Sequence, residues 1–109
     1  MKVRSPALAA FAMAMAVAAP AFANADLAQK KNCMSCHAVD RKIVGPAYND
    51  IAARYAADKA AVDVLAQKIL KGGTGVWGKL VMPPMQNANP PVSDAEARQL
   101  ATWILGLKK

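Results

Sequence analysis

The feature that most constrains this chain is the run Cys33-Met34-Ser35-Cys36-His37, which contains both cysteines and the only histidine of the sequence. A C-x-x-C-H run is typical of haem attachment, because each thiol can add to one vinyl group of a haem while the following histidine binds the iron as the proximal ligand. We therefore predict one haem c, bound covalently through Cys33 and Cys36, with His37 as an axial ligand of its iron.

Other uses of two nearby cysteines fit the sequence less well. A structural zinc site needs about four Cys or His ligands, and this chain has three such side chains in total. A thioredoxin-like C-x-x-C follows a strand in a βαβ unit, and no alternation of strands and helices is visible here. A disulfide between Cys33 and Cys36 is chemically possible in an oxidising compartment, but it would close a very short loop and leave His37 without a role.

The N-terminus has the pattern of a secretory signal peptide. Lys2 and Arg4 precede an apolar stretch from Ala7 to Ala19, and Ala21-Phe22-Ala23 forms an A-x-A cleavage site. A retained membrane anchor is the alternative, but the stretch is mostly alanine and falls short of the roughly 20 strongly apolar residues that a span requires. We predict cleavage at the end of this site, with cleavage after Ala25 as the neighbouring possibility, and export to the periplasm.

Cleavage divides the chain into a signal peptide, residues 1–23, and a mature domain, residues 24–109. The 86 remaining residues of the 109 suffice for one small domain. Cleavage removes Lys2 and Arg4 from the 14 basic residues and none of the 7 acidic ones, so the net charge falls from +7 to +5. Because a domain of this size buries a limited share of its surface, we expect the haem to form much of the core and the apoprotein to be poorly folded.

Apolar periodicity predicts an all-α domain of about four helices packed around the haem. The segments are Asp26 to about Met34, Tyr48 to Ala56, Lys59 to Lys71, and Ser93 to about Leu107. The last helix has the clearest signals, because Ser93 and Glu96 form an S-x-x-E capping box. Its buried face is predicted to consist of Ala97, Leu100, Ala101 and Ile104.

Residues 72–91, between the third and fourth helices, are rich in Gly, Pro and Asn and are predicted to form a long loop. A loop of this length is normally functional or disordered, and we expect it to carry the sixth iron ligand. It contains the run Val81-Met82-Pro83-Pro84-Met85, whose prolines stiffen the backbone. Because His/Met is a known class of haem ligation, Met82 is predicted as the ligand and Met85 as a packing residue.

Further segments make a family resemblance specific. They are Asn32-Cys33-Met34-Ser35-Cys36-His37, Val44-Gly45-Pro46-Ala47-Tyr48, Gly75-Val76-Trp77-Gly78, Met82-Pro83-Pro84 and Val92-Ser93-Asp94-Ala95-Glu96-Ala97. In this order, they resemble small class I bacterial cytochromes c of the cytochrome c-551 (c8) type over nearly all of residues 24–109. The resemblance implies the class I cytochrome c fold with a long Met-bearing loop, thioethers at Cys33 and Cys36, and His37 and Met82 as axial ligands. It implies an electron-transfer protein with no catalytic residues.

The same resemblance implies roles around the haem. In the family, the carbonyl of the residue matching Pro46 accepts the second N–H of the proximal imidazole, and the indole matching Trp77 donates to a haem propionate; core packing is the alternative for this indole. Lys68 falls where the family has a cation near the propionates, although a solvated lysine on a helix surface is an equal alternative. The chain departs from the family at Met85, where Asn is frequent, and in a longer segment from Gln86 to Pro91. Met85 is the substitute ligand if the loop shifts.

Iron held by a histidine and a methionine has no open position for a substrate, and the soft thioether favours Fe(II). We therefore predict a monomeric one-electron carrier in the periplasm, shuttling between respiratory redox proteins such as membrane cytochrome complexes, terminal oxidases or nitrogen-oxide reductases. The alternative is a haem enzyme or gas sensor with an open sixth position, for which the chain offers no second histidine for acid-base chemistry.

Positive charge is expected to steer acidic partners to the exposed haem edge. The lysines that we expect to contribute are Lys30, Lys31, Lys42, Lys59, Lys68, Lys71 and Lys79. Nucleic acid is not expected as a partner, because the sequence has no basic helix, aromatic platform or known binding motif.

Overall fold

The computed structural model describes residues 21–107, so the predicted signal peptide lies almost wholly outside the described residues. The helices of this part of the chain are α1 (Ala21–Lys30), α2 (Tyr48–Arg54), α3 (Ala61–Lys71) and α4 (Asp94–Leu105). Two short 3₁₀ helices span Cys33–Ser35 and Met85–Asn87, and two strands, β1 (Gly73–Gly75) and β2 (Gly78–Met82), pair antiparallel. Among these helices none combines the length and the apolar character needed to cross a membrane.

Helix α4 is the centre of the packing, because it contacts α1, α2 and α3. Its predicted buried face is confirmed: Ala97, Leu100, Ala101 and Ile104 are all at most 5% exposed. The capping box is also confirmed, since the Glu96 backbone N–H donates to Ser93 Oγ at 3.1 Å and the Ser93 N–H donates to Glu96 Oε1 at 3.0 Å. Satisfying these two donors fixes where α4 begins and so orients its apolar face.

Small residues let the other helices approach α4 closely. The side chains of Ala28 on α1 and Ala66 on α3 have no exposed surface at all. Leu65 and Ile69, one turn apart on α3, are also buried and extend the apolar face. Helix α3 ends at Lys71 and is followed by Gly72, which takes a φ of 68° that is unfavourable for residues with a β-carbon.

The helix boundaries differ from the prediction where local hydrogen bonding stops or delays a helix. The first helix ends at Lys30 instead of about Met34, because Asn32 adopts a left-handed conformation with φ 64°. Helix α3 starts at Ala61 instead of Lys59, since Asp58 Oδ1 accepts the Ala60 N–H at 2.8 Å in a turn before the helix.

The prediction of an irregular loop for residues 72–91 is wrong for its first half, which forms the β1–β2 hairpin. Gly75 pairs with Gly78 across the two-residue turn Val76-Trp77, and both glycines have positive φ values, 100° and 102°. The strands are too short to show an alternating apolar pattern. The register places Met82 opposite Gly73, beside the end of α3.

Candidate haem site

The run Cys33-Met34-Ser35-Cys36-His37 folds as a tight turn that directs its three functional side chains to one place. After α1, the 3₁₀ helix Cys33–Ser35 is closed by the Cys36 and His37 N–H groups, which both donate to the Cys33 carbonyl at 3.2 and 3.0 Å. Cys33, Cys36 and His37 all line the same cavity, and both thiols are free and half-buried. Burial raises the pKa of the Cys33 thiol, and a hydrogen bond with the Tyr48 hydroxyl opposes this rise.

The imidazole of His37 is buried and held by backbone. Its Nδ1 lies 2.8 Å from the carbonyl oxygen of Pro46, and His37 as a whole is only 8% exposed. A carbonyl oxygen can only accept, so Nδ1 carries the proton and Nε2 keeps the lone pair that a metal ion requires. The resemblance implied this contact for Pro46, and the structure places the two groups at hydrogen-bond distance.

Two further residues restrict the ring of His37, although the sequence suggested no role for either. A β-carbon added to Gly45 would lie 2.5 Å from Cε1 and 2.9 Å from Nδ1 of the imidazole, so only glycine fits there. The Tyr48 ring stacks on the imidazole with centroids 5.0 Å apart and an interplanar angle of 18°. Both residues lie in the run Val44-Gly45-Pro46-Ala47-Tyr48, which the resemblance had singled out.

The cavity has a volume of about 360 Å³ and mainly apolar walls. Leu65 and Ile69 of α3 and Leu100 and Ile104 of α4 form one part of its lining. The hairpin forms another part through residues 73–77 and 80–82. Apolar walls, two thiols and a metal-ready imidazole in a single cavity match the donor set and the hydrophobic body of a haem. The residues present therefore fit this group.

Met82 and Met85 occupy different environments. Met82, the last residue of β2, lines the cavity together with Pro83, whereas Met85 is not among its lining residues. Both methionines pack against the hydrophobic core, but Met85 opens the 3₁₀ helix Met85–Asn87, and its carbonyl accepts the Val92 N–H at 2.9 Å. Of the two methionines, the structure brings Met82 to the same cavity as His37.

The backbone from Met82 to Pro84 lies directly against the end of α3. A β-carbon on Gly72 would collide with the Met82 carbonyl oxygen and would lie 2.8 Å from the Pro83 carbonyl carbon and from Pro84 N. The lack of a side chain at Gly72 therefore lets the strand and the two prolines cross the helix end closely. This contact fixes the position of the Met82 backbone relative to the end of α3.

Trp77 and Lys68, the other two predicted site residues, also line the cavity. Trp77 is 39% exposed, and the Arg54 guanidinium carbon lies 4.9 Å from the centre of its ring, within the range of a cation–π contact. The Lys68 ammonium lies over Gly73, where an added β-carbon would be 2.6 Å from Nζ. Both residues thus place polar groups at a cavity whose walls are mainly apolar.

The family model described as cytochrome c matches residues 23–108, which is most of the chain. The chain belongs to the cytochrome c family. Cytochrome c-552 of Hydrogenobacter thermophilus is 60% identical over 87 residues, covering 80% of this chain and 84% of that protein. Cytochrome c-552 of Nitrosomonas europaea is 55% identical over 97 residues, covering 89% of this chain and 90% of that protein.

The fold of this cytochrome is similar to that of a relative with a solved structure. The crystal structure of wild-type Nitrosomonas europaea cytochrome c552 superposes with a TM-score of 0.71 at 57% identity, covering 77% of this chain and 99% of that chain. The predicted class I cytochrome c fold is confirmed.

Family membership confirms the cofactor and the type of function that the sequence predicted. This cytochrome carries haem c, attached covalently through its C-x-x-C-H motif, which includes Cys33 and Cys36. It is a small electron carrier and not an enzyme.

Proposed function

We propose that His37 and Met82 are the axial ligands of the haem iron and that Cys33 and Cys36 each form one thioether. The chemistry that haem supplies when bound is the exchange of one electron between Fe(II) and Fe(III). The observation that carries the ligand assignment is the shared cavity, which His37 and Met82 both line while Met85 does not. A thioether in the sixth position raises the reduction potential relative to a second imidazole and leaves no open position for a substrate.

The protein's own residues then have separable tasks. The Pro46 carbonyl accepts a hydrogen bond from Nδ1–H of His37, which keeps the proton on Nδ1, leaves Nε2 unprotonated and increases its basicity as a ligand. The apolar side chains of α3 and α4 exclude water from the cavity, so little solvent reorganises when the charge changes. Trp77 and Lys68 offer an indole N–H and an ammonium group to the haem carboxylates, as the resemblance implies.

Substitution of each methionine separately tests the ligand assignment. Met82→Ala is expected to leave the haem attached, to open the sixth position to carbon monoxide and to lower the reduction potential. Met85→Ala removes a partly buried packing residue and should cost stability, about 2 kcal/mol or less, with the potential and the spectrum retained. An unchanged potential in Met82→Ala, or loss of methionine ligation in Met85→Ala, would show that the wrong residue was assigned.

We further propose that residues 1–23 are removed on export and that the mature carrier works in the periplasm as a monomer. The positive n-region, the apolar stretch and the A-x-A site support the removal of residues 1–23 on export. The mass of the haem-loaded protein purified from its native host is the test. A mature chain starting at Asn24 is expected, and a full-length chain retained with the membrane fraction would contradict the proposal.

The docking surface for redox partners is proposed to lie beside the haem attachment turn. Ile43 and Val44 are 45% and 46% exposed, and the neighbouring Lys42 lines the cavity together with Val44. An apolar patch with an adjacent cation suits transient contact with an acidic electron donor or acceptor. Membrane cytochrome complexes, terminal oxidases and nitrogen-oxide reductases are the classes of partner that we propose.

A further inference from the structure

The ammonium group of Lys31 joins three segments that are distant in the sequence. Lys31 Nζ donates to the Pro91 carbonyl at 2.9 Å and lies 3.2 Å from Glu96 Oε2. Lys31 lies two residues before Cys33, Pro91 follows Met82 and Met85 in the loop before α4, and Glu96 lies in the first turn of α4. The Lys31 side chain is only 15% exposed, whereas that of the adjacent Lys30 is 71% exposed.

The Pro91 contact bears on residues 82–92, which we call the strap. The strap is closed on itself by the Val92 N–H, which donates to the Met85 carbonyl at 2.9 Å. Asn32 adds a second, longer link to the haem attachment segment, from its side-chain amide to the Asn89 carbonyl at 3.4 Å. The C-terminal end of the strap is therefore hydrogen-bonded to the residues directly before Cys33, while its N-terminal end lies against Gly72.

Within this arrangement the Lys31–Pro91 bond has no equivalent elsewhere along the described strap, because it is the one contact there that uses a charged donor. Hydrogen bonds with an ionised partner are stronger than neutral ones, and this bond joins a lysine side chain that is largely buried to the carbonyl of an exposed residue. Without the ammonium group, water becomes the hydrogen-bond partner of the Pro91 carbonyl, and the carbonyl turns toward the solvent. That movement separates the strap from the haem attachment segment.

We propose that Lys31 is a positioning residue that holds the strap closed, and with it the Met82 side chain in the cavity, through its bond to the Pro91 carbonyl. The proposal rests on the ligand role assigned to Met82 above. It predicts that Lys31 controls how often the thioether leaves the iron without itself touching the haem.

The ion pair with Glu96 has to be separated from this role, because it links α1 to α4 and adds to overall stability. Glu96→Gln removes the negative charge but keeps an oxygen for the Ser93 N–H, since Gln also serves in capping boxes. This variant weakens the helix link while leaving the Lys31–Pro91 bond in place. Lys30→Met is the matched control for charge, because Lys30 pairs with Asp26 at the exposed surface of the same helix.

The test compares the haem-loaded wild type with Lys31→Met, Lys31→Arg, Glu96→Gln and Lys30→Met. Two quantities are measured: the hydrogen exchange rate of the Val92 amide, and the rate at which imidazole displaces methionine from the ferric iron. Lys31→Met should raise both rates about tenfold, the factor expected for one charge-assisted hydrogen bond. Lys31→Arg, which keeps a charged donor, should restore most of the difference.

The controls decide between a strap contact and general stability. Lys30→Met should leave both rates unchanged, and Glu96→Gln should lower the denaturant midpoint without selectively accelerating Val92 exchange. Equal acceleration in Lys31→Met and Glu96→Gln, or no difference between Lys31→Met and Lys30→Met, would overturn the proposal. A wild type without methionine ligation would contradict the proposed function instead, and Val92 exchange would then still show whether Lys31 closes the strap.

Discussion

Nδ1 of His37 lies 2.8 Å from the carbonyl oxygen of Pro46, and this contact determines which ring nitrogen remains available to iron. The turn that supplies the carbonyl is itself fixed on the haem motif, because the Val44 and Gly45 N–H groups both donate to the Cys36 carbonyl at 3.1 and 2.7 Å. The hydrogen bond that orients the proximal imidazole is thus made by backbone, and the Tyr48 ring stacks on the imidazole in addition.

Gly45→Ala should disturb the turn that orients His37, although Gly45 itself has an ordinary φ. The new β-carbon would lie 2.5 Å from His37 Cε1, so either the ring or the turn must move. We expect a loss of about 1 to 3 kcal/mol in the free energy of unfolding, typical of overpacking, together with a shift in reduction potential. Denaturant unfolding and a potentiometric titration of the haem-loaded protein measure the two effects.

Gly106→Ala is the matched control for Gly45→Ala. Gly106 has a helical conformation at the end of α4, and a β-carbon there would meet its nearest neighbours at an ordinary 3.5 Å. This substitution should leave the potential unchanged and stability the same or slightly higher. A potential that shifts equally in both variants would refute the steric role assigned to Gly45.

Tyr48 should act mainly through its ring and little through its hydroxyl. Burial raises the pKa of Tyr48, so the hydroxyl stays neutral and donates only to the weak sulfur acceptor of Cys33. Tyr48→Phe should therefore cost about 1 kcal/mol or less. Tyr48→Leu also removes the stack on His37 and the edge contact with Trp103 at 5.5 Å, and should cost about 1 to 3 kcal/mol more. Thermal unfolding of the two variants would contradict this ranking if their losses were equal.

Glu96 should make the protein less stable in acid. The Ser93 backbone N–H and then the Lys31 ammonium hold the pKa of the Glu96 carboxyl below its usual value of 4.5. Because the folded pKa is lowered, the stabilisation is present above pH 4.5 and is lost as the pH falls through the folded pKa. The stability difference between wild type and Glu96→Gln should therefore be largest at neutral pH and should shrink at about pH 3. A constant difference in urea unfolding across this range would contradict the assignment.

Net positive charge should appear in the kinetics of electron exchange. The mature chain has a predicted net charge of +5, and Lys42 and Lys68 line the haem cavity. Oxidation of the ferrous protein by ferricyanide, an anion, should slow as ionic strength rises, because salt screens the attraction. A cationic cobalt(III) complex should show the opposite trend. Stopped-flow rates that depend on salt in the same way for both oxidants would show that charge near the cavity does not steer the encounter.

The helices of this protein could be predicted because their signals are local. The capping box at Ser93 and Glu96, the apolar face of α4 and the glycine after α3 all lie within one or two turns of the element that they define. The boundary at Lys30 could not be predicted, since Asn32 ends α1 through a left-handed conformation that several residue types can adopt. The haem motif consequently begins in a 3₁₀ turn and not in a continuing helix.

The hairpin and the contacts of His37 depended on information that periodicity does not contain. Gly75 and Gly78, flanking a two-residue turn, were the available signal for the hairpin, although their strands are too short to alternate. The close approach of Gly45 to His37 arises only when the turn folds back on the motif. By contrast, the prediction of Met82 over Met85 used the prolines around them, and it remains a prediction until the ligand is observed.

The most direct test of the account is the optical spectrum of the purified haem-loaded protein, oxidised and reduced, before and after addition of carbon monoxide. Ligation by His37 and Met82 predicts a low-spin spectrum, a weak sulfur-to-iron charge-transfer band in the ferric form, and no carbon monoxide uptake by the ferrous form at neutral pH. A high-spin ferric spectrum without that band, with rapid carbon monoxide binding, would contradict the ligand assignment and indicate an open sixth position.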